Sequence, residues 1–99
     1  MNNLNSVLFE GHLTDNPVLE TVKNIQSCIF NLSSTRISER GTEVSIVKIV
    51  TYGALSERCS SLKKNRSVRV VGRLLQTENS VVILGEHVEF KPVEKKCIS

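Results

Sequence analysis

The segment that decides the predicted fold runs Tyr52-Gly53-Ala54-Leu55-Ser56-Glu57-Arg58-Cys59-Ser60-Ser61-Leu62-Lys63-Lys64-Asn65-Arg66-Ser67-Val68-Arg69-Val70-Val71-Gly72-Arg73. An aromatic residue ends a predicted strand, a short amphipathic helix follows, and a basic turn leads into a second strand that is itself basic. Six of the chain's 13 Lys and Arg residues lie between positions 58 and 73 with no Asp or Glu among them, which leaves seven against 10 acidic residues elsewhere. Clustered like charges repel one another unless solvent or an anion neutralises them, so the segment is either a solvated surface or a polyanion site.

The composition of the 99-residue chain is that of one domain, which we place at residues 1–92, with a short charged end at 93–99. Apolar residues make up 39% and aromatic residues only 4%, so the core is expected to consist of Val, Ile and Leu, which favour strands. The N-terminus is polar and no apolar run approaches membrane-spanning length, so we expect a soluble, intracellular protein with no membrane partner. Three scattered cysteines and two distant histidines predict neither a disulfide framework nor a metal site, and no cofactor is expected.

Hydrophobic periodicity predicts strands at residues 6–13, 18–22, 25–34, 44–52, 67–75 and 81–90. Between residues 54 and 64 the period changes, and Leu55, Cys59 and Leu62 form one stripe of a helix, with Asn65 as a left-handed cap. Taken as five main strands with a single short helix between the third and fourth, this is the order of an all-β, five-stranded OB-fold barrel.

No catalytic motif is present: the chain lacks a phosphate-binding Gly-x-x-x-x-Gly-Lys loop, a Gly-x-Ser-x-Gly elbow and a His-Glu-x-x-His pair. We therefore expect a binding protein and not an enzyme, with no catalytic residues. Recognition of single strands without sequence preference requires cations for phosphates and flat faces for bases. Lys48 and Tyr52 share one face of a predicted strand and Arg69 and Arg73 share a face of another, so these residues supply both if the two strands are neighbours. The alternative for Tyr52 is a half-buried barrel residue.

Four blocks of sequence resemble the bacterial single-stranded DNA-binding protein family, in family order and spacing. They are residues 5–17 (NSVLFEGHLTDNP), 30–35 (FNLSST), 47–55 (VKIVTYGAL) and 62–74 (LKKNRSVRVVGRL). The resemblance implies an OB-fold that assembles into homotetramers or homodimers and wraps single-stranded DNA in replication, recombination and repair. It also implies a cytoplasmic, nucleoid-associated location. An unpaired first strand with Leu8, Glu10 and His12 outward fits such pairing between copies.

The family's site residues carry over unevenly. Tyr52 occupies the place of the family's aromatic before the helix, Lys48 matches a basic position on the same strand, and Lys64 matches the Lys that closes the helix. Ser38 and Ile46 stand where two of the family's tryptophans usually lie, and this chain has no Trp. Base stacking is worth roughly 1–3 kcal/mol per base, so the loss of stacking residues predicts weaker binding, although Ile46 is still able to pack on a base.

The predicted function is single-stranded DNA binding without sequence preference. The predicted nucleic-acid-binding residues are Tyr52, Lys48, Ile46, Lys63, Lys64, Arg66, Arg69 and Arg73. Arg36 and Arg40 are added from the hairpin that joins the predicted strands at residues 25–34 and 44–52. Two alternatives stay open: a primosomal accessory OB-fold protein, and an OB-fold protein-interaction subunit that has lost DNA binding. The chain ends in Lys95-Lys96-Cys97-Ile98-Ser99, so we expect no acidic tail to recruit repair proteins.

Overall fold

The computed structural model describes residues 2–92 and contains six strands and one helix. The elements are β1 (Val7–Leu13), β2 (Val18–Val22), β3 (Ile25–Ser38), β4 (Gly41–Tyr52), α1 (Gly53–Cys59), β5 (Ser67–Gln76) and β6 (Val81–Phe90). The predicted charged end at 93–99 lies outside the described residues. Each predicted strand is present, and β3 and β4 extend further than predicted, into a long hairpin whose turn is Glu39-Arg40.

The sheet closes on itself. Its strand order is β1-β5-β6-β4-β3-β2, and β1 also pairs with β3. Five strands therefore form a closed barrel, and β2 pairs only with β3, beside the barrel. All pairings are antiparallel except the short parallel contact between β4 and β6. The predicted OB-fold class is confirmed, and with the short β2 counted as a strand the helix lies between β4 and β5.

The interior of the barrel is aliphatic, as the composition predicts, because alternate residues of each strand point inward. The largest fully buried side chains include Leu13, Leu32, Ile49, Val68, Val70 and Val88. Cys28 and Cys59 belong to the same core, and burial raises the pKa of the Cys28 thiol to about 11 and also raises that of the Cys59 thiol. Both are therefore protonated at neutral pH and serve as small hydrophobic residues.

Helix α1 is shorter than predicted, since it ends at Cys59 and not at residue 64. Gly53, with φ +65°, reverses the chain from β4 into the helix. Beyond Cys59 the chain turns, and the Ser61 hydroxyl donates 3.0 Å to the Arg58 carbonyl oxygen, a local bond that competes with further helix. Leu62 is nevertheless buried as the stripe predicts, and Asn65 has the expected left-handed conformation, φ 74°, in a turn after the helix.

Barrel closure requires β1 and β3 to meet at very close range. Their ladder begins at the pair His12 and Ser33, and immediately before it a Cβ atom on Gly11 would overlap the Ser33 carbonyl oxygen. The obstacle is backbone, which cannot move without opening the ladder. Only glycine fits at position 11.

Replacing Gly11 by Ala should therefore lower the free energy of unfolding by about 1–3 kcal/mol, the usual cost of forcing extra atoms into a packed site. Urea denaturation followed by far-ultraviolet circular dichroism measures the change. Ser45→Ala, at an exposed position of β4, is the control and should stay within about 0.5 kcal/mol of the wild type. A Gly11→Ala protein as stable as the control would contradict the close approach.

Candidate nucleic-acid interface

The outer face of strands β2, β3 and β4, called the β2–β4 face below, carries three cross-strand rows of side chains. Residues directly opposite each other in antiparallel strands point to the same side of the sheet. From the register, the rows are Tyr52–Ser27–Glu20, Val50–Ile29–Val18 and Lys48–Asn31, and Ile46 lies opposite Ser33 at the next step. The structure thus places Lys48, Tyr52 and Ile46 on one face, as the strand alternation predicts.

A groove runs along this face and has two halves. The apolar half has a volume of about 640 Å³ and is lined by Glu20, Val22, Lys23, Ile25, Ser27, Ile29, Val50 and Tyr52. The polar half has a volume of about 440 Å³ and is lined by Asp15, Asn16, Val18, Glu20, Ile29, Phe30, Asn31 and Lys48. Glu20 and Ile29 line both halves, so the groove is continuous across the three strands.

Tyr52 is half exposed, at 50% of its full surface, because it ends β4 at the point where the chain turns into α1. Its ring lines the apolar half of the groove and is not a core residue. An exposed ring beside aliphatic side chains is the geometry that base stacking requires.

The exposed aliphatic surface continues from Tyr52 towards the hairpin tip. Ile46 is 62% exposed, and Val44 and Ile37 beyond it are also exposed. Val44 lies opposite Thr35 and Ile37 opposite Thr42, which puts both on the same side of the hairpin as Ile46. Aliphatic residues thus form an open surface where an OB-fold needs flat groups for bases.

Lys63 and Lys64 are exposed in the loop after α1. This loop is held against the end of β1: the Lys64 amide donates 2.9 Å to the Asn16 side-chain oxygen, and the Asn65 amide donates 2.8 Å to the Leu13 carbonyl oxygen. Asn16 lines the polar half of the groove. The loop therefore brings both lysines to the end of the groove that also contains Lys48.

Arg69 and Arg73 lie on β5, and β6 separates β5 from β4. The condition that the two strands be neighbours is not met, so strand order does not bring these arginines beside Lys48 and Tyr52, and their contact with DNA stays a prediction. Arg73 is exposed beside the N-terminal Asn residues.

The side chain of Arg69 is also occupied by acidic partners. It donates to one Glu10 carboxylate oxygen through Nε at 3.2 Å and Nη2 at 3.0 Å, and its Nη1 lies 3.9 Å from a Glu89 carboxylate oxygen. The Lys91 ammonium lies 3.0 Å from the other Glu10 oxygen. Lys91 first and Arg69 second lower the pKa of Glu10 below its usual range. The guanidinium of Arg69 is therefore engaged by acidic partners within the chain.

Arg66 is held by the fold and does not project freely. Its Nη2 donates 3.3 Å to the Lys91 carbonyl oxygen, and its guanidinium lies 5.7 Å from the centre of the Phe90 ring. Arg58 stacks on the same ring at 5.4 Å. Contacts of this kind between guanidinium groups and an aromatic ring contribute to packing, so Arg66 has a structural role, and its predicted phosphate contact stays a prediction.

Arg36 and Arg40 lie at the far end of the β3–β4 hairpin. Arg40 is in the two-residue turn. Arg36 lies opposite Glu43 in the strand register and so points to the other side of the hairpin from Ile46 and Lys48. Of the two, the position of Arg40 at the tip is the more compatible with the β2–β4 face.

Several groove residues were not predicted from the sequence: Glu20, Lys23, Ile29 and Asn31. The feature that reveals them is the pairing of β2 with β3, which brings these polar and apolar residues to the same face as Tyr52. The two-residue turn at Lys23-Asn24, both with positive φ, fixes that register and is visible in the sequence.

Within residues 2–92, no group of three or more His, Cys, Asp or Glu side chains is arranged to hold a metal ion. No helix in that part of the chain is long and apolar enough to span a membrane.

The model of the single-strand binding protein family matches residues 4–89, which is most of the chain and includes the whole barrel apart from the last residue of β6. The chain belongs to the single-strand binding protein family. The family predicted from the sequence is thus confirmed. The function of that family is single-stranded DNA binding and not catalysis.

Solved structures of the single-stranded DNA-binding protein from Thermus aquaticus share this fold. A deletion mutant of that protein superposes with a TM-score of 0.82 at 22% identity, covering 97% of this chain and 45% of that one. The wild-type protein gives a TM-score of 0.80 at 22% identity, covering 93% of this chain and 42% of that one. At this identity the likeness shows the fold alone, and the present chain spans less than half of the length of either structure. None of the curated proteins matches the sequence.

Proposed function

We propose that this single-strand binding family member binds single-stranded DNA along the β2–β4 face, without requiring a defined sequence. The observation that carries the proposal is the exposed ring of Tyr52 in the same groove face as Lys48, with Val50 between them. A ring for the base and a cation for its phosphate, on one rigid strand, are the two elements of single-strand recognition.

The phosphate path that the charges support follows Lys48, Lys63 and Lys64, with Arg40 beyond Ile46 at the hairpin tip. These four cations make no ion pair with any residue of the described chain. Arg66 and Arg69 are left out because their guanidinium groups are already engaged. Ile46 supplies an apolar surface for a base where the family's resemblance implies an aromatic.

We further propose action in replication, recombination and repair as a homo-oligomer. Strand β1 pairs with β5 on one side but with β3 only at His12 and Leu13, so the other edge of Val7–Gly11 lacks a partner in the described chain. Unpaired edges favour pairing with another strand, and like edges pair across a two-fold axis. DNA binding by Tyr52 and Lys48 distinguishes the proposal from the protein-interaction alternative, whereas the primosomal alternative also implies binding of single strands, only more weakly.

The salt dependence of DNA binding tests the phosphate path. Log affinity for oligo-dT should fall linearly with log salt, with a slope of about −0.7 per phosphate contact. Lys48→Ala should make the slope shallower by somewhat under one unit, whereas Arg69→Ala should leave it unchanged because Arg69 lies on β5, away from the β2–β4 face. Fluorescence anisotropy of a labelled oligonucleotide at several salt concentrations measures both. Equal losses of slope in the two variants would contradict the assignment of the face.

The role of the ring is tested at Tyr52. Tyr52→Ala should weaken binding by roughly 1–3 kcal/mol, and Tyr52→Phe should bind nearly as well as the wild type because the stacking face remains. Tyr52 is the single tyrosine in a chain without tryptophan, so quenching of its fluorescence by oligo-dT reports the contact directly.

The control is thermal unfolding of both variants. If Tyr52→Ala lowers the melting temperature sharply while the affinity of the folded fraction is unchanged, the ring is a structural residue and the protein-interaction alternative is favoured.

A further inference from the structure

The groove on the β2–β4 face contains an acidic residue at the place where a polyanion is proposed to bind. Glu20 lines both halves of the groove, and its carboxylate makes no hydrogen bond or ion pair with the described residues. A carboxylate at this position repels phosphate, so it needs a different role if DNA occupies the groove.

The position of Glu20 relative to Tyr52 is fixed by strand register. Tyr52 pairs with Ser27 and Ser27 pairs with Glu20, so the three residues form one row across β4, β3 and β2. Neighbouring strands lie about 4.7–4.9 Å apart, which separates the backbone positions of Tyr52 and Glu20 by roughly 10 Å.

The residue between them leaves the space open. Ser27 is small and buried, and its hydroxyl donates 3.3 Å to the Glu20 carbonyl oxygen. Its side chain therefore lies at the bottom of the groove and does not fill the space between Tyr52 and Glu20. The volume of this half of the groove, about 640 Å³, is within the range of small-ligand sites, roughly 300–1,000 Å³. One unstacked base has room between the ring of Tyr52 and the carboxylate of Glu20.

The charges around the groove favour a base over a phosphate at its centre. Lys23 lines the apolar half, Lys48 and Asp15 line the polar half, and Glu20 lines both. One cation in each half and the shared carboxylate of Glu20 suit a strand whose phosphates lie near the two lysines and whose base points towards Glu20.

A carboxylate discriminates among bases by their edges. Cytosine presents an exocyclic amino group that donates to a carboxylate, whereas thymine presents a carbonyl oxygen at the same place, which a carboxylate repels. We propose that the Tyr52–Ser27–Glu20 row is a base-reading subsite, in which Glu20 accepts a hydrogen bond from the amino group of a base stacked on Tyr52. The protein then favours amino-bearing bases over thymine while still binding strands of any sequence. This inference rests on the proposed DNA binding at the β2–β4 face.

Competition between oligo-dC and oligo-dT of equal length, measured by fluorescence anisotropy, tests the subsite. The wild type should bind oligo-dC roughly threefold to tenfold more tightly than oligo-dT, the net effect of one hydrogen bond. Glu20→Gln should improve binding of oligo-dT and bring the ratio close to one, because the amide both donates and accepts hydrogen bonds. Glu57→Gln is the matched control: Glu57 is exposed on α1 and lines neither half of the groove, so it should leave the ratio unchanged.

The possible failures are distinguishable. If both oligonucleotides bind and Glu20→Gln has the wild-type ratio, with its thermal unfolding unaltered, the subsite is overturned and the proposed function stands. If the Glu57→Gln control changes the ratio as much as Glu20→Gln does, the effect is one of net charge and the subsite is again overturned. If neither oligonucleotide binds the wild type, the proposed DNA binding fails and the subsite with it.

Discussion

The close approach of β1 to β3 at Gly11 is the constraint on which the rest of the structure depends. The sheet closes only if the backbone of residue 11 passes the Ser33 carbonyl without a side chain between them. Closure joins β1-β5-β6-β4-β3 into a barrel and curves β3 and β4 over a core of buried aliphatic residues. β1 and β2 pair with the same edge of β3, so the strand at the centre of the β2–β4 face is also the strand that Gly11 must approach for the barrel to close.

The order of elements could be predicted from the sequence because alternation and helical periodicity are local signals. The limits of the helix could not, because Ser60 and Ser61 end it through local hydrogen bonds that no periodicity shows. The site was predicted only in part for a similar reason. Lys48 and Tyr52 are on one strand, where alternation fixes their shared face. Arg69 joins them only if its strand is a neighbour of theirs, yet strand order is a property of the whole sheet, and β6 separates the two strands.

The basic segment from Arg58 to Arg73 illustrates how charge clustered in sequence is divided in space. Arg58 and Arg66 stack on Phe90, and Arg69 is paired with Glu10. Lys63 and Lys64 are left exposed near the groove. The segment is therefore partly structural and partly a candidate phosphate contact. Neither a solvated surface nor a polyanion site describes all of its charged residues. The β2–β4 face in turn combines one exposed ring, aliphatic side chains and an acidic residue, which suits weak stacking combined with recognition of base edges.

The central claim is that single-stranded DNA lies on the β2–β4 face. The most direct measurement is backbone amide chemical-shift mapping by nuclear magnetic resonance during titration with a short oligonucleotide. The account predicts that shifts concentrate at Glu20, Ser27, Ile29, Lys48 and Tyr52, with smaller changes at the Lys63–Lys64 loop. Shifts concentrated instead around Glu10, Arg69 and Glu89 on the face of β1, β5 and β6, with Tyr52 unchanged, would contradict it.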